Sequence, residues 1–234
     1  NSYCLPEYEL VEHFKKLVNN NNDDVKKALA NNLVNLSENK RTEYFKKLAD
    51  NGSTNIKMAL ANNLANLSKN EITECFKILA GYNDIHIKTA LVKKLYFLPE
   101  NEMTECFKTL VDNADDNIKT ALINNLCYIP QNIRPDCFKI FVDNANDDIK
   151  RVLAENLDYI PENKRFECFK SLLDNASTDV KAVLAENLDY IPENKRFEYF
   201  KSLLDNADTD VKRALVKQLY CLPENEVIEY FKKL

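Results

Sequence analysis

The stretch AENLDYIPENKRFE occupies residues 154–167 and returns letter for letter at residues 185–198. Its spacing of 31 residues holds across the chain: Pro6, Ser37, Ser68, Pro99, Pro130, Pro161, Pro192 and Pro223 open successive units, and no insertion breaks the register. A fixed period of this length marks a stack of small supersecondary units. Seven complete units cover residues 6–222, preceded by five residues that match a unit's end and followed by twelve that match a unit's beginning.

Two apolar stripes run through each unit. The ninth position is always phenylalanine (Phe14, Phe45, Phe76, Phe107, Phe138, Phe169, Phe200, Phe231), and three residues on stand Leu17, Leu48, Leu79, Leu110, Phe141, Leu172, Leu203 and Leu234. A second stripe, Val180, Leu184, Leu188 and Ile191 in the sixth unit, repeats as Val25, Leu29, Leu33 and Leu36 in the first. The i, i+4, i+8, i+11 spacing keeps these residues on one face of a helix. Each unit therefore holds two amphipathic helices. Proline suits a first helical position, and Ser68 with Glu71 three residues later forms a capping-box pattern. Between the helices, segments such as 174–179 (DNASTD) offer asparagine as a left-handed stop and serine or aspartate as the next N-cap. Gly52 stands where other units have Ala114, Ala145, Ala176 and Ala207, so positive φ is not required there and the glycine reads as incidental. Pro135 takes the place of an ordinary helix former, so the fifth unit's first helix is predicted to start late or bend.

A helix pair this short cannot bury both stripes alone, whereas stacking pairs makes a continuous core. The composition agrees with a cooperatively folded chain: 45% of the 234 residues are hydrophobic and 29% charged. No segment is long and apolar enough for a membrane span, and the opening NSYCLPEYEL does not read as a secretion signal. With two glycines and no tryptophan, glycine-rich phosphate loops are excluded. The net charge of −5 is uneven: residues 1–98 carry 14 Lys and Arg against 11 Asp and Glu, and the remainder 18 against 26.

The second-helix pattern, Asp179-Val180-Lys181 followed by Leu184, Ala185, Leu188 and Ile191, resembles the short form of the HEAT repeat. That resemblance extends over essentially the whole chain. It implies an all-α, right-handed α-solenoid of stacked two-helix repeats, seven full units with partial units at both ends, making one domain over residues 1–234 within a longer array. Two columns depart from the family pattern. Lysine fills the place usually taken by arginine (Lys26, Lys57, Lys88, Lys119, Lys150, Lys181, Lys212), and asparagine fills a place usually small and apolar (Asn32, Asn63, Asn125, Asn156, Asn187). HEAT-like repeats host scaffolds, transport receptors and several enzymes, so fold alone does not name an activity.

Catalytic and metal chemistry find little support. Cys75, Cys106, Cys137 and Cys168 occupy the eighth position of four consecutive units, with Cys4, Cys127 and Cys221 elsewhere. Equivalent atoms in stacked helices lie about 8–10 Å apart, too far for the roughly 4.4–6.8 Å Cα separation of a disulfide. Tyr44, Tyr199, Tyr230 and His13 fill the same position in other units, so the thiols read as packing residues in a reducing compartment such as the cytoplasm. Only His13 and His86 are present, and the His-Glu pairs of HEAT-like iron hydroxylases are missing. The chain is thus expected to be non-enzymatic, without metal or cofactor. At the tenth position a lysine ladder (Lys15, Lys46, Lys77, Lys108, Lys139, Lys170, Lys201, Lys232) could follow a phosphate backbone. An acid precedes each lysine by three residues (Glu12, Glu43, Glu74, Glu105, Asp136, Glu167, Glu198, Glu229), so i, i+3 pairing is expected to neutralise the ladder.

A binding face must vary between units while the packing face stays constant. Positions two, six and nine beyond the opener of the second helix vary most: Lys27, Asn31 and Val34 in the first unit, Thr89, Lys93 and Tyr96 in the third, Arg151, Glu155 and Asp158 in the fifth. In HEAT-like solenoids this layer lines the concave side. Beside it runs Phe97, Tyr128, Tyr159 and Tyr190, either as interface anchors or as rings packed between second helices with only the hydroxyl wet. The candidate partner-binding residues are Lys93, Tyr96, Phe97, Tyr128, Arg151, Glu155, Tyr159, Glu186, Tyr190, Lys217 and Tyr220. A protein or peptide partner is the leading expectation, and a nucleic acid on the ladder and the more basic first 98 residues is the rival. The ends, where Val227, Phe231 and Leu234 have no following layer, suggest end-to-end self-association.

Overall fold

The computed structural model describes residues 6–232 apart from 113, 144 and 206. Cys4 and Leu234 lie outside the described residues, as does the side chain of Cys221. The chain is an α-solenoid of stacked helix pairs, with no strand among the described residues. It divides into two compact units, Asn1–Pro130 and Gln131–Leu234.

The first unit holds α1 (Glu7–Leu17), α2 (Asp23–Asn32), α3 (Glu38–Asn51), α4 (Thr54–Asn63), α5 (Lys69–Ala80), α6 (Ile85–Val92), α7 (Glu100–Val111) and α8 (Asp116–Ile123). Its second helices pack in sequence, α2 on α4 on α6 on α8, and its first helices likewise, α3 on α5 on α7. The second unit holds α9 (Arg134–Val142), α10 (Asp147–Glu155), α11 (Glu162–Leu173), α12 (Thr178–Glu186), α13 (Glu193–Leu204), α14 (Thr209–Lys217) and α15 (Glu224–Phe231). There α10, α12 and α14 stack, and α9 packs on α11. The phenylalanine column lies at the centre of these layers, with Phe14, Phe45, Phe76, Phe107, Phe138, Phe169 and Phe200 all buried, while Phe231 is exposed. Burying one such ring is worth about 2–3 kcal/mol.

Several local expectations hold. Ser68 and Glu71 form the reciprocal capping box, Asn175 is left-handed at φ 55°, and α9 begins late, at Arg134, with Pro135 in its first turn. The second stripe behaves differently from a single helix. In the sixth repeat α12 ends at Glu186, Asn187 takes φ −108° and ψ 24°, a 3-10 turn follows over Leu188–Tyr190, and Ile191 is extended. The same break recurs before Leu33–Asn35, Leu64–Asn66, Leu95–Phe97, Leu126–Tyr128, Leu157–Tyr159 and Leu219–Cys221. In most repeats a carboxamide side chain accompanies the break, although Lys94 precedes the same turn in the third. The carboxamides of Asn32, Asn63, Asn125 and Asn156 donate to the carbonyls four residues back, at 2.8, 2.9, 2.7 and 2.8 Å, competing with the backbone N–H for that acceptor. Asn187 and Gln218 instead reach the preceding repeat, donating to Ala154 O at 3.1 Å and Glu186 O at 3.0 Å. At this position a polar residue bonds the end of its own helix or ties it to the preceding repeat.

Two of the lysines near the starts of the second helices have a related task. Lys88, 1% exposed, donates to Leu110 O at 2.6 Å and Asp112 O at 3.1 Å, the orphan carbonyls at the end of the next repeat's first helix. Lys26 does the same for Asn51 O at 2.8 Å. Burial holds the Lys88 ammonium below the ordinary lysine range, opposed in part by Asp112 and Asp115. The folded chain therefore holds this proton less tightly than the unfolded one, so the associated penalty is present below the lowered pKa and fades as pH climbs toward the ordinary lysine value.

Gly52 is not incidental. Its backbone is extended, at φ −97° and ψ 147°, so no positive φ is involved, yet a Cβ there would lie 2.3 Å from Leu48 O and 2.8 Å from Ile56 Cγ2. The cause is α3, which runs on to Asn51 while α11 stops at Leu173 and α13 at Leu204, squeezing the turn into α4. Gly52→Ala is expected to cost about 1–3 kcal/mol in urea unfolding. Gly81→Ala is the control: its Cβ would meet nothing nearer than 3.5 Å, and that change should be near neutral. Lys88→Met should also lower stability by about 1–3 kcal/mol, because it strands two carbonyls without a donor, and the same urea titration reads it.

Candidate functional site

Second helices present to solvent the positions that vary between repeats. In the first unit Lys27, Asn31, Val34, Lys93 and Tyr96 are exposed and Thr89 is half-buried. Lys93 stands with its ammonium 5.0 Å from the centroid of the Tyr128 ring, a cation over an aromatic face of the next repeat. Tyr96 and Phe97 lie ring against ring at 3.9 Å, and Lys94 covers the Phe97 ring at 5.7 Å. Tyr96 and Tyr128 remain 54% and 50% exposed, large apolar area for a chain to leave wet.

Beside these residues a groove of about 470 Å³ runs across α4, α6 and α8, lined by Met58, Asn62, Ile85, His86, Thr89 and Lys93 among others. Ile85 continues into a neighbouring open groove of about 690 Å³ at the starts of α6 and α8. The sequence reading missed Met58 and Ile85. A signal existed for Ile85, an exposed isoleucine where the other repeats place Asp23, Thr54, Asp116, Asp147, Thr178 and Thr209.

In the second unit the candidates separate into three groups. Arg151 and Glu155 pair with each other on α10 at 2.5 Å, and Lys217 on α14 reaches Glu186 on α12 at 2.7 Å. Tyr220 is 65% exposed. Tyr159 and Tyr190 are half-buried and belong to the linkers: Arg134 donates to Tyr159 O at 2.9 Å, and the Arg165 guanidinium covers the Tyr190 ring at 4.9 Å. Burial raises the Tyr190 pKa, helped by Asp158 and Asp189 and opposed by Arg165. Tyr190 lines a groove of about 700 Å³ with Arg165, Arg196, Glu162 and Glu193 at the starts of α11 and α13. Arg165 and Arg196 also bind their own linkers, each donating to the carbonyls of Ile160 and Asp158, and of Ile191 and Asp189, at 2.8–3.0 Å. A fifth-position arginine that fastens the 3-10 turn escaped the sequence reading, because its partners are backbone oxygens.

The lysine ladder is neutralised differently from expectation. Lys15 pairs with Glu12 three residues earlier. Lys46 instead reaches Glu74 at 2.6 Å and Lys77 reaches Glu102 at 3.2 Å, both on the next repeat's first helix. Glu43, the expected partner of Lys46, sits between Lys40 and Lys47, which lower its pKa to about 2. Among the described residues no ion pair joins Lys108, Lys139, Lys170 or Lys201 to the acid three positions before it. Stacking brings the neighbouring helix as near as the next turn, so cross-repeat pairing competes with i, i+3 pairing.

The eighth position of the first helices is the remaining point of chemical interest. Tyr199 meets Phe166 and Phe169 of the preceding repeat edge-on at 5.5 and 5.9 Å, Tyr230 meets Phe197 and Phe200 at 5.6 and 6.1 Å, and Tyr44 meets Phe14 at 5.1 Å. Cys75, Cys106, Cys137 and Cys168 take that place elsewhere and are buried. Burial pushes the Cys75 thiol up to about 12 and those of Cys106 and Cys168 up to about 11, and it raises Cys137 as well. Such thiols are inert packing groups at neutral pH. Among the described residues no group of three or more His, Cys, Asp or Glu side chains could hold a metal ion, and no helix is long and apolar enough to cross a membrane.

The sequence matches no family model and no curated protein. Among solved structures it is similar to c5321, described as a protective antigen of uropathogenic Escherichia coli strains displaying an SLR fold, at 11% identity and a TM-score of 0.32. The match covers 98% of this chain and 56% of that one. So distant a likeness carries nothing about activity, and the solenoid is read from the helices themselves.

The thiol environments predict a reactivity pattern. In a Cys4→Ser, Cys221→Ser background, Ellman's reagent at pH 8 should titrate Cys127, the one exposed thiol among the described cysteines, while Cys75, Cys106, Cys137 and Cys168 react only after denaturation.

Proposed function

We propose that the chain is a non-enzymatic, HEAT-like scaffold that binds a protein or peptide along the surface of its second helices. The carrying observation is the Lys93, Tyr96, Phe97 and Tyr128 cluster, where two half-exposed tyrosines accompany a lysine that lines an open groove. Tyrosine and a cation around a concave floor are the composition of binding hot spots. Within each unit the second helices are the more closely packed layer, as on the inner side of a curved stack, which supports the concave assignment. Arg151, Glu155, Glu186, Lys217 and Tyr220 give the second unit a charged counterpart of the same layer, with Tyr159 and Tyr190 set back into the linkers. His13 and His86 are both exposed and lie in separate repeats, a poor foundation for a catalytic base. The buried thiols suit a reducing compartment.

A second reading, binding of nucleic acid, draws on the lysines of the ladder that lack an ion-pair partner. Titration of labelled single- and double-stranded oligonucleotides at 50 and 200 mM salt tests it, since phosphate contacts lose affinity steeply over that range.

For the leading reading, selection of a random peptide display library against the intact chain should enrich clones that bind the wild type. Their affinity should fall at least tenfold on a Lys93→Ala, Tyr96→Ala, Tyr128→Ala variant of unchanged melting temperature. Enriched clones indifferent to that variant, or tight salt-dependent oligonucleotide binding without any peptide enrichment, would overturn it.

A further inference from the structure

Asn51 and Gly52 form the one Asn-Gly step in a chain with 31 asparagines. The step falls in the turn from α3 to α4. In four other repeats the same asparagine is followed by alanine, as Asn113-Ala114, Asn144-Ala145, Asn175-Ala176 and Asn206-Ala207. There the amide is in use: Ala114, Ala145, Ala176 and Ala207 donate their N–H to the carbonyls three residues back, at 3.0, 3.3, 3.1 and 3.0 Å. The Gly52 N–H makes no such bond among the described residues. Gly52 is half-buried and Asn51 exposed, and no side chain on Gly52 shields its nitrogen.

Cations meet the carbonyls on both sides of that nitrogen. The ammonium of Lys26, a residue only 8% exposed, donates at 2.8 Å to Asn51 O, the oxygen of the same peptide group. Lys57 donates at 2.6 Å to Gly52 O, one peptide further on. An amide that loses its proton carries the negative charge largely on its oxygen, and a charged donor already seated there favours that form. Screening is weaker at a partly buried contact than at an open surface. A free N–H, no methyl group beside it and a cation on the conjugated oxygen together make this backbone nitrogen a nucleophile.

We propose that Asn51 is a site of spontaneous deamidation, with Gly52 N as the nucleophile and Lys26 as the group that activates it. Hydroxide or a buffer base takes the Gly52 amide proton, and the nitrogen attacks Asn51 Cγ. The new C–N bond closes a succinimide ring, the carboxamide C–N bond breaks, and ammonia departs. Water then opens the ring at either carbonyl, leaving aspartate or isoaspartate, with nothing oxidised or reduced. The isoaspartyl product runs the main chain through the side-chain carbon and so inserts a methylene into a turn where Leu48 O and Ile56 already crowd Gly52. Both products add a negative charge next to Asp50. The modification weakens the α3–α4 turn as the protein ages, and it does not depend on the partner-binding reading.

The test follows the intact chain at pH 7.4 and 37 °C by peptide mapping, with isoaspartate identified by isoaspartyl methyltransferase labelling. The peptide containing Asn51 should gain the mass of an amide-to-acid exchange at least tenfold faster than the peptide containing Asn175, and the aged chain should melt about 2–4 °C lower. Lys26→Gln, which keeps a neutral donor and loses the charge, should slow the reaction at least threefold in the folded chain and leave it unchanged in urea. A lysine that merely held the turn would give the opposite sign, since a loosened turn reacts faster. Absence of isoaspartate at Asn51, or a rate no higher than at Asn175, would overturn the site, and unaltered melting of the aged chain would overturn its structural effect. A folded Lys26→Gln chain reacting as fast as the wild type, or faster, would overturn the role of the lysine. If that variant does not fold, the wild type decides: reaction faster in the folded chain than in urea supports activation, and any slower rate overturns it.

Discussion

Each helix pair carries apolar surface on two flanks and can cover only one of them itself. That constraint governs the molecule: a repeat is completed by the next repeat, so the residues that face a neighbour are the ones that recur. Phe169 and Leu172 on α11, and Val180, Leu184, Leu188 and Ile191 after it, are all buried. Polar groups obey the same rule. Lys26 and Lys88 use their ammonium groups on the next repeat's carbonyls, Asn187 and Gln218 use their carboxamides on the preceding one, and Arg41 reaches Glu71 across repeats at 2.9 Å. A nearly buried charge such as Lys88 is tolerable because helix-end carbonyls lacking an intrahelical partner meet it.

Freed from packing, the outer positions of the second helices are where repeats can differ at little cost to stability. Arg151 and Lys217 occupy such positions, Lys93 caps the end of α6, and Tyr96, Tyr128 and Tyr220 stand in the 3-10 turns that follow the second helices. The frame beneath them is held by side-chain-to-backbone bonds that leave little freedom in the linkers. A partner would thus meet a surface whose geometry is set before it arrives, which lowers the ordering cost of association.

Period, helix pairing and the first-helix boundaries were legible in the letters alone, because the phenylalanine column and the Pro or Ser starts repeat without a gap. Pro135 and the Ser68 capping box were legible for the same local reason. The break in the second helix was not: Val180, Leu184, Leu188 and Ile191 satisfy helical spacing even though Ile191 is extended. The side-chain bonds that accompany the break are variable, to the same helix from Asn156 and to the preceding repeat from Asn187, and helical spacing of the apolar residues does not reveal them. Gly52 was misread because its constraint is a close approach and not a dihedral sign. The ladder was misread because Glu74 of the next repeat takes Lys46 at 2.6 Å while Glu43 is held by Lys40 and Lys47. As for the site, its exposed stripe could be read from variability, whereas the grooves could not, since they depend on how far neighbouring side chains fall short of one another.

The identity of residues 154–167 with 185–198 means that adjacent repeats present interchangeable faces. Loss of residues 161–191 by unequal crossing-over at the level of the coding sequence would leave every remaining seam chemically familiar. The ring of Tyr199 would then come to rest beside Pro135 and Phe138. Array length in such a protein can thus change by one whole repeat in a single genetic event.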